Sequence, residues 1–160
     1  MSQDRPGRLR QARPDDAGQL LSLWQSLFDE LPAATATDWQ EPAHEWFAQF
    51  VDEPRSARIP VIEVAGELVA SAVGVLEQHV PNPMSPTGRA VRLVNVITLP
   101  DHRGHGYATE LISDVIDWSR RIATDRIDLS ATAQGQRIYQ RLGFLPTSAL
   151  RMKLVIAKAD

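Results

Sequence analysis

The 160-residue sequence contains no cysteine, which excludes disulfides, thiolate metal sites and a cysteine nucleophile. It has no long run of one charge. Seventeen basic against twenty acidic side chains leave a formal charge of −3, so neither a nucleic-acid surface nor an anionic-membrane surface is indicated. No stretch is apolar for long enough to span a bilayer, and the N-terminal MSQDRPGRLRQARPDD has basic residues without the apolar segment of a signal peptide. A cytoplasmic location is the expectation. Internal repeats are absent. His102 and His105 stand three apart on a glycine turn with no carboxylate cluster nearby, so no metal is expected. The length suits a single domain over 1–160, with residues 1–7 disordered.

What is present centres on Arg92 to Ala108, RLVNVITLPDHRGHGYA. Val91, Leu93, Val94, Val96, Ile97 and Leu99 form a β-branched run suited to a strand buried on both faces, and Pro100 ends it. Gly104 and Gly106 then allow a turn with inward-pointing N–H groups, and the helix that follows adds the positive end of its dipole. Arg103 places a forked cation beside the same position. The combination is suited to phosphate.

The run Arg103-Gly104-His105-Gly106-Tyr107-Ala108 resembles the Gln/Arg-x-x-Gly-x-Gly/Ala pyrophosphate loop of the GNAT N-acetyltransferase superfamily. A second stretch follows in the right order. Leu129-Ser130-Ala131-Thr132 and then Gly135 to Phe144 are similar to that family's strand, short tyrosine-bearing helix and Gly-Phe. The resemblance covers about Arg92 to Leu154. It implies an α/β GNAT fold, a mixed and splayed sheet flanked by helices, and acetyl-CoA as co-substrate without a metal. It further implies that Val96, Ile97, Thr98, Arg103, Gly104, His105, Gly106, Tyr107, Ala108, Thr109 and Thr132 hold the cofactor. The Val96 N–H would meet the thioester carbonyl, Thr98 would bond the pantetheine arm, and Tyr139 would be the general acid. The implied partner is a small-molecule or peptide amine; a homodimer is left open.

Along the chain, Arg8 to Arg13 reads as an edge strand, and Pro14-Asp15-Asp16 starts a helix carrying Leu20, Leu21, Leu23, Trp24, Leu27 and Phe28. Pro32 and Ala33 to Thr37 interrupt it before a second helix with Trp39, His44, Trp46, Phe47 and Phe50. Ile59–Val64 and Leu68–Leu76 read as a hairpin about Ala65-Gly66-Glu67, and Pro81 to Gly88 as a loop. The helix after the glycine turn shows Ala108, Leu111, Ile112, Val115, Ser119 and Ile122 on one face. Ile127 and Leu129 mark a strand, Ile138 and Leu142 a short helix, and Phe144 with Leu150 to Ile156 a closing hairpin.

Other readings compete. A dinucleotide site also uses Gly-x-Gly, and Asp128 lies about 20 residues on, where such a site places its ribose-binding acid. Against it, the third glycine of that motif would fall on Thr109. A GNAT-like module that binds acyl-CoA without turnover is a further alternative. Asn95, polar in an apolar run, is either a satisfied structural amide or a group that orients substrate or water. Tyr139 could be a core aromatic, although its place four residues before Gly143-Phe144 favours function. Trp24, Phe28, Trp39, Trp46 and Phe47 read as core, and in the family the first two helices also wall the acceptor pocket. Thr132 stands where many members have asparagine, and Arg92 where several have a glutamate base. The proton acceptor then falls to Glu77, His79 or water, and the acidic candidates near the expected pocket are Asp29, Glu30 and Glu77.

Overall fold

The computed structural model describes residues 7–29 and 36–157. Residues 1–6, which include most of the segment expected to be disordered, and 30–35, which include Glu30 and Pro32, lie outside the described residues. The chain divides into two compact units, Met1–Ser130 and Ala131–Asp160.

The first unit is a mixed sheet of β1 (Arg8–Gln11), β2 (Ala57–Arg58), β3 (Pro60–Val64), β4 (Glu67–Gln78), β5 (Arg89–Thr98) and β6 (Arg126–Asp128). The path runs β1-β3-β4-β5-β6, with β2 pairing β4 beyond the end of β3. All pairings are antiparallel except β5 with β6. Helices α1 (Ala17–Ser26), α2 (Gln40–Phe50) and α3 (Tyr107–Arg121) complete the unit. The β3–β4 hairpin turns on Ala65 and Gly66, at φ 50° and 83°. A two-residue turn with both φ angles positive matches the right-handed twist of its strands, which is why a glycine sits there.

The two faces of β4 have different neighbours. At Gly74 a Cβ would meet Val115 of α3 at 2.7 Å and Trp118 at 3.3 Å, so α3 lies directly on that face. Trp118 is buried, and its indole N–H donates to the Pro54 carbonyl at 2.8 Å. The opposite face carries Val73, which joins Leu20 and Leu23 of α1 and Phe47 of α2 in one core cluster. Alternation along a strand produces this division.

Opposite β4, β5 contains one residue too many. Ser71 pairs with Ile97 and Val73 with Val94, so β4 advances two residues while β5 retreats three. Asn95 and Val96 form the resulting bulge, and Asn95 adopts φ 53°. The bulge inverts which residues face α1 and α2, from Val94 before it to Ile97 and Leu99 after it. The apolar run is unbroken because both faces of β5 are covered, one by α3 and the other by α1 and α2.

Buried charge ties β1 to the start of α1. Arg10 forks onto Asp16 at 2.7 and 3.0 Å and reaches Glu63 at 3.2 Å. Asp16 also accepts the Arg13 N–H at 2.7 Å, closing the turn at Pro14. The hydrogen bond from Arg10 holds the Asp16 carboxyl below the usual carboxylate range despite its burial. On α3, Asp114 takes two bonds from Arg58, at 2.8 and 2.9 Å, and one from Gln11 at 3.2 Å.

In the second unit, Thr132 accepts the N–H groups of Gly135 and Gln136 and starts α4 (Gln136–Arg141). The chain then turns back, with the Phe144 N–H donating to the Tyr139 carbonyl at 3.0 Å and the two rings edge to face at 5.8 Å. The closing hairpin expected at Leu150–Ile156 is not formed. Residues 145–157 contain no helix or strand. Leu150, Met152 and Leu154 are each 84 % exposed, so the alternating pattern is present without a pairing strand to bury it.

Asp16→Asn should lower stability by about 1–3 kcal/mol at neutral pH by weakening a charge-assisted bond. Because the folded carboxyl is shifted down, its contribution is present above the unfolded value of about 3.9 and is lost as pH falls through the folded one. Urea unfolding of both proteins between pH 2 and pH 7 should therefore show curves that converge in acid. A constant gap would assign the effect to packing instead.

Candidate active site

Two backbone features define the site in the first unit. The first is the turn before α3. After a 3₁₀ stretch at Pro100–His102, Gly104 and Gly106 take φ 84° and 77°, a left-handed conformation that side chains resist, and Gly106 caps α3. Among the described residues, the N–H groups of Gly104 to Thr109 donate no hydrogen bond. Those at the start of α3 have no intrahelical acceptor and lie at the positive end of its dipole. A space beside Gly104 is open, because a Cβ built there meets nothing within 4 Å. Arg103 crosses back to donate to the Thr98 carbonyl at 3.2 Å, which ties the turn to the end of β5. His105, exposed, stacks on Tyr107 at 5.4 Å. Tyr107 itself is 2 % exposed and lies against Gly7, so only its backbone faces the turn. Ala108 is half-buried and Thr109 exposed.

The second feature is the splay of β5. Its parallel pairing with β6 covers only Ala90, Val91 and Arg92. From Leu93 to Thr98 the edge that faces away from β4 has no strand partner among the described residues. Val96 falls in the bulge, outside the ladder with β4 as well. Val96, Ile97 and Thr98 are thus brought onto one open edge that leads to the glycine turn.

Next to the bulge is a cavity of about 370 Å³. Trp24 of α1 and Pro42, Ala43, Trp46 and Phe47 of α2 form one wall; Val73 and Val75 of β4 with Val94 and Asn95 of β5 form the other. The aromatic rings brace each other edge to face, Trp24 to Phe47 at 6.4 Å and Trp46 to Phe47 at 5.6 Å. Phe28 and Trp39 continue the series without lining the cavity. The Asn95 amide nitrogen is buried without a partner.

Two residues beyond Val75 on the same strand face, Glu77 accepts Arg92 Nε at 2.7 Å and meets His79 Nε2 at 3.0 Å. Burial opposes ionisation of Glu77, but these bonds and the Arg92 charge outweigh it and hold its carboxyl below the usual range. Arg92 therefore does not act as a base; it fixes Glu77. His44 lies exposed on α2, and Asp29 is exposed just after α1. Asp128 accepts Arg126 Nε at 2.9 Å, an ordinary paired strand residue.

In the second unit, Thr132 and Tyr139 flank Gly135: a Cβ there would lie 3.3 Å from the Thr132 hydroxyl oxygen and from the Tyr139 ring. Half-burial pushes the Tyr139 phenol above its ordinary value. Sequence reasoning missed the bulge and the Arg92–Glu77–His79 chain. The one local signal for the bulge was a lone asparagine in an apolar run.

The sequence profile described as the acetyltransferase (GNAT) family matches residues 20–144. No curated protein sequence matches the chain. Among solved structures, a predicted acetyltransferase from Clostridium acetobutylicum with acetyl-CoA superposes with TM-score 0.80 at 23% identity, covering 92% of this chain and 96% of its own. A GCN5-related N-acetyltransferase from Ralstonia eutropha JMP134 gives TM-score 0.79 at 22% identity, covering 92% and 98%. Glucosamine-6-phosphate N-acetyltransferase from Arabidopsis thaliana gives 0.74 at 16% identity, covering 92% and 97%.

Gly106→Val puts a β-branched side chain on a left-handed backbone beside the unbonded N–H groups. The expected result is CoA binding weakened by about 10-fold or more in calorimetric titration, with the circular dichroism spectrum retained. Unchanged affinity in the folded variant would remove this turn as the pyrophosphate site.

Proposed function

Since the chain belongs to the GNAT acetyltransferase family, we propose that it moves the acetyl group of acetyl-CoA onto a primary amine of a small molecule or peptide by direct attack. The observation that carries this reading is the row of unbonded N–H groups from Gly104 to Thr109, continuous with the open edge of β5. A pyrophosphate on that row and a pantetheine arm along Ile97 and Thr98 direct the thioester to Val96. The fit rests on backbone donors alone, so it does not depend on a side chain at Thr132, where the family often has asparagine.

The Val96 N–H stabilises the oxygen of the thioester carbonyl as the neutral amine nitrogen bonds to the carbonyl carbon. The carbon–sulfur bond then breaks, and the Tyr139 hydroxyl donates its proton to the departing thiolate. The proton released by the amine leaves through His79. With Nε2–H on the Glu77 carboxylate, the Nδ1 of His79 is free to accept it, directly or through water. Glu77 orients that ring, its two oxygens already occupied by Arg92 and His79. The aromatic cavity between α1, α2 and the bulge receives the acceptor. The chemistry needs no metal; among the described residues no group of His, Asp and Glu is placed to hold one.

The test is an acetyl-CoA turnover screen over small amines, amino-acid amides, antibiotics and peptide N-termini, read by thiol release and product mass. Tyr139→Phe should then reduce turnover of the best amine by about 10² to 10⁴ while CoA affinity changes little, because only the hydroxyl is removed. Burial raises the Tyr139 pKa, so the wild-type acid stays protonated through neutral pH and its activity should not decline from this group below about pH 10. Wild-type turnover in the folded variant at every pH would make Tyr139 a packing residue and give the proton to water.

A further inference from the structure

The cavity beside the bulge has a composition that selects among amines. Its described walls are the rings of Trp24, Trp46 and Phe47 and the valines of β4 and β5; none of its described lining residues is charged. A phosphate or a second ammonium entering it would lose its water and find no counterion. The one side-chain amide in the lining is that of Asn95, and its nitrogen is both buried and unbonded. Buried donors are almost always satisfied, so an isolated one in a residue that lines an otherwise apolar wall is left for a partner that a small rotation of the amide brings within reach.

The backbone fixes that donor. Asn95 sits in the bulge at φ 53°, a conformation asparagine tolerates better than most residues, and the extra residue of β5 leaves it outside the ladder and among the residues that line the cavity. Val96, the adjacent residue, carries the N–H assigned above to the thioester carbonyl. An acceptor held by Asn95 is therefore held one residue from the reacting centre.

We propose that the acceptor is an amine on an apolar, ring-bearing body that also carries a carbonyl or similar hydrogen-bond acceptor, and that Asn95 Nδ2 donates to that group. The cavity volume, about 370 Å³, suits a body of this size. This rests on reading the cavity as the acceptor side of an acetyltransferase. Strongly charged acceptors such as sugar phosphates and polycationic aminoglycosides are disfavoured by the described walls. Asn95 then determines specificity as well as position, because a site built to donate a hydrogen bond discriminates against an analogue that cannot receive it.

The experiment compares phenylalaninamide, phenethylamine, glycinamide, glucosamine 6-phosphate and kanamycin as acceptors at saturating acetyl-CoA. With kcat/KM expressed per concentration of neutral amine, phenylalaninamide should exceed phenethylamine, which lacks the carbonyl, by on the order of 10- to 100-fold. It should exceed glycinamide, which lacks the ring, by a similar factor, and the two charged acceptors should rank lowest. Asn95→Gly admits the left-handed backbone while removing the amide, and should abolish the preference for phenylalaninamide over phenethylamine. A charged acceptor ranking first, equal rates for the two aryl amines in wild type, or a preference that survives Asn95→Gly would each overturn the proposal while leaving acetyl transfer intact. If the variant does not fold, the wild-type comparison decides alone. Binding of acetyl-CoA without turnover of any amine would reject the acetyltransferase reading itself, and this proposal with it.

Discussion

The extra residue of β5 at Asn95 and Val96 is the constraint on which the site depends. A regular antiparallel ladder would engage the N–H and C=O groups of one of these two residues with β4, and successive side chains would alternate between the two helical layers. With the bulge, the ladder skips both residues, the alternation inverts, and the strand diverges from β6 after three pairs. The two effects act together. The bulge leaves a backbone N–H available at Val96, and the divergence leaves an edge along which an extended ligand can lie. The strain of a non-glycine residue at positive φ is maintained because the strand is anchored at both ends, by β6 and β4 on one side and by the Arg103 bond to Thr98 on the other.

The charged groups of the first unit are arranged so that this region remains neutral. Asp16 is committed to Arg10, Asp114 to Arg58, and Glu77 to Arg92 and His79. Each pair neutralises a partly buried carboxylate, and each also ties elements together: β1 to α1, β2 to α3, and β4 to β5. The Glu77 group lies two residues beyond Val75 of the cavity wall on β4, and its carboxylate is taken up by Arg92 and His79. What remains at the centre of the site is a set of backbone dipoles and aromatic rings, suited to a reaction whose charge develops briefly on an oxygen and a sulfur.

How much of this was legible in the sequence follows from the range of each interaction. The glycine turn was readable because positive φ angles at Gly104 and Gly106 admit few other residues, and the β3–β4 turn at Ala65 and Gly66 for a similar reason. Helices α1 to α3 announced themselves by apolar spacing. The two-residue β2 has too little pattern to be seen, and it exists only because β4 outlasts β3 and offers a partner. The bulge could not be located without the pairing register, although Asn95 stood out as a polar residue in an apolar run. The pairing of Glu77 with Arg92 likewise requires knowing that Val75 lies opposite Arg92. Leu150 to Ile156 shows the opposite failure: the alternation of a strand without the neighbour that would make it one.

The most direct test of the account is amide-resolved hydrogen exchange of the protein with and without acetyl-CoA. If the bulge and the glycine turn supply the donors, saturation with acetyl-CoA should slow exchange at Val96 and Thr98 and across Gly104 to Thr109 by about 10-fold or more, while β3 changes little. Unchanged exchange at Val96 and at the turn under saturating ligand would contradict it.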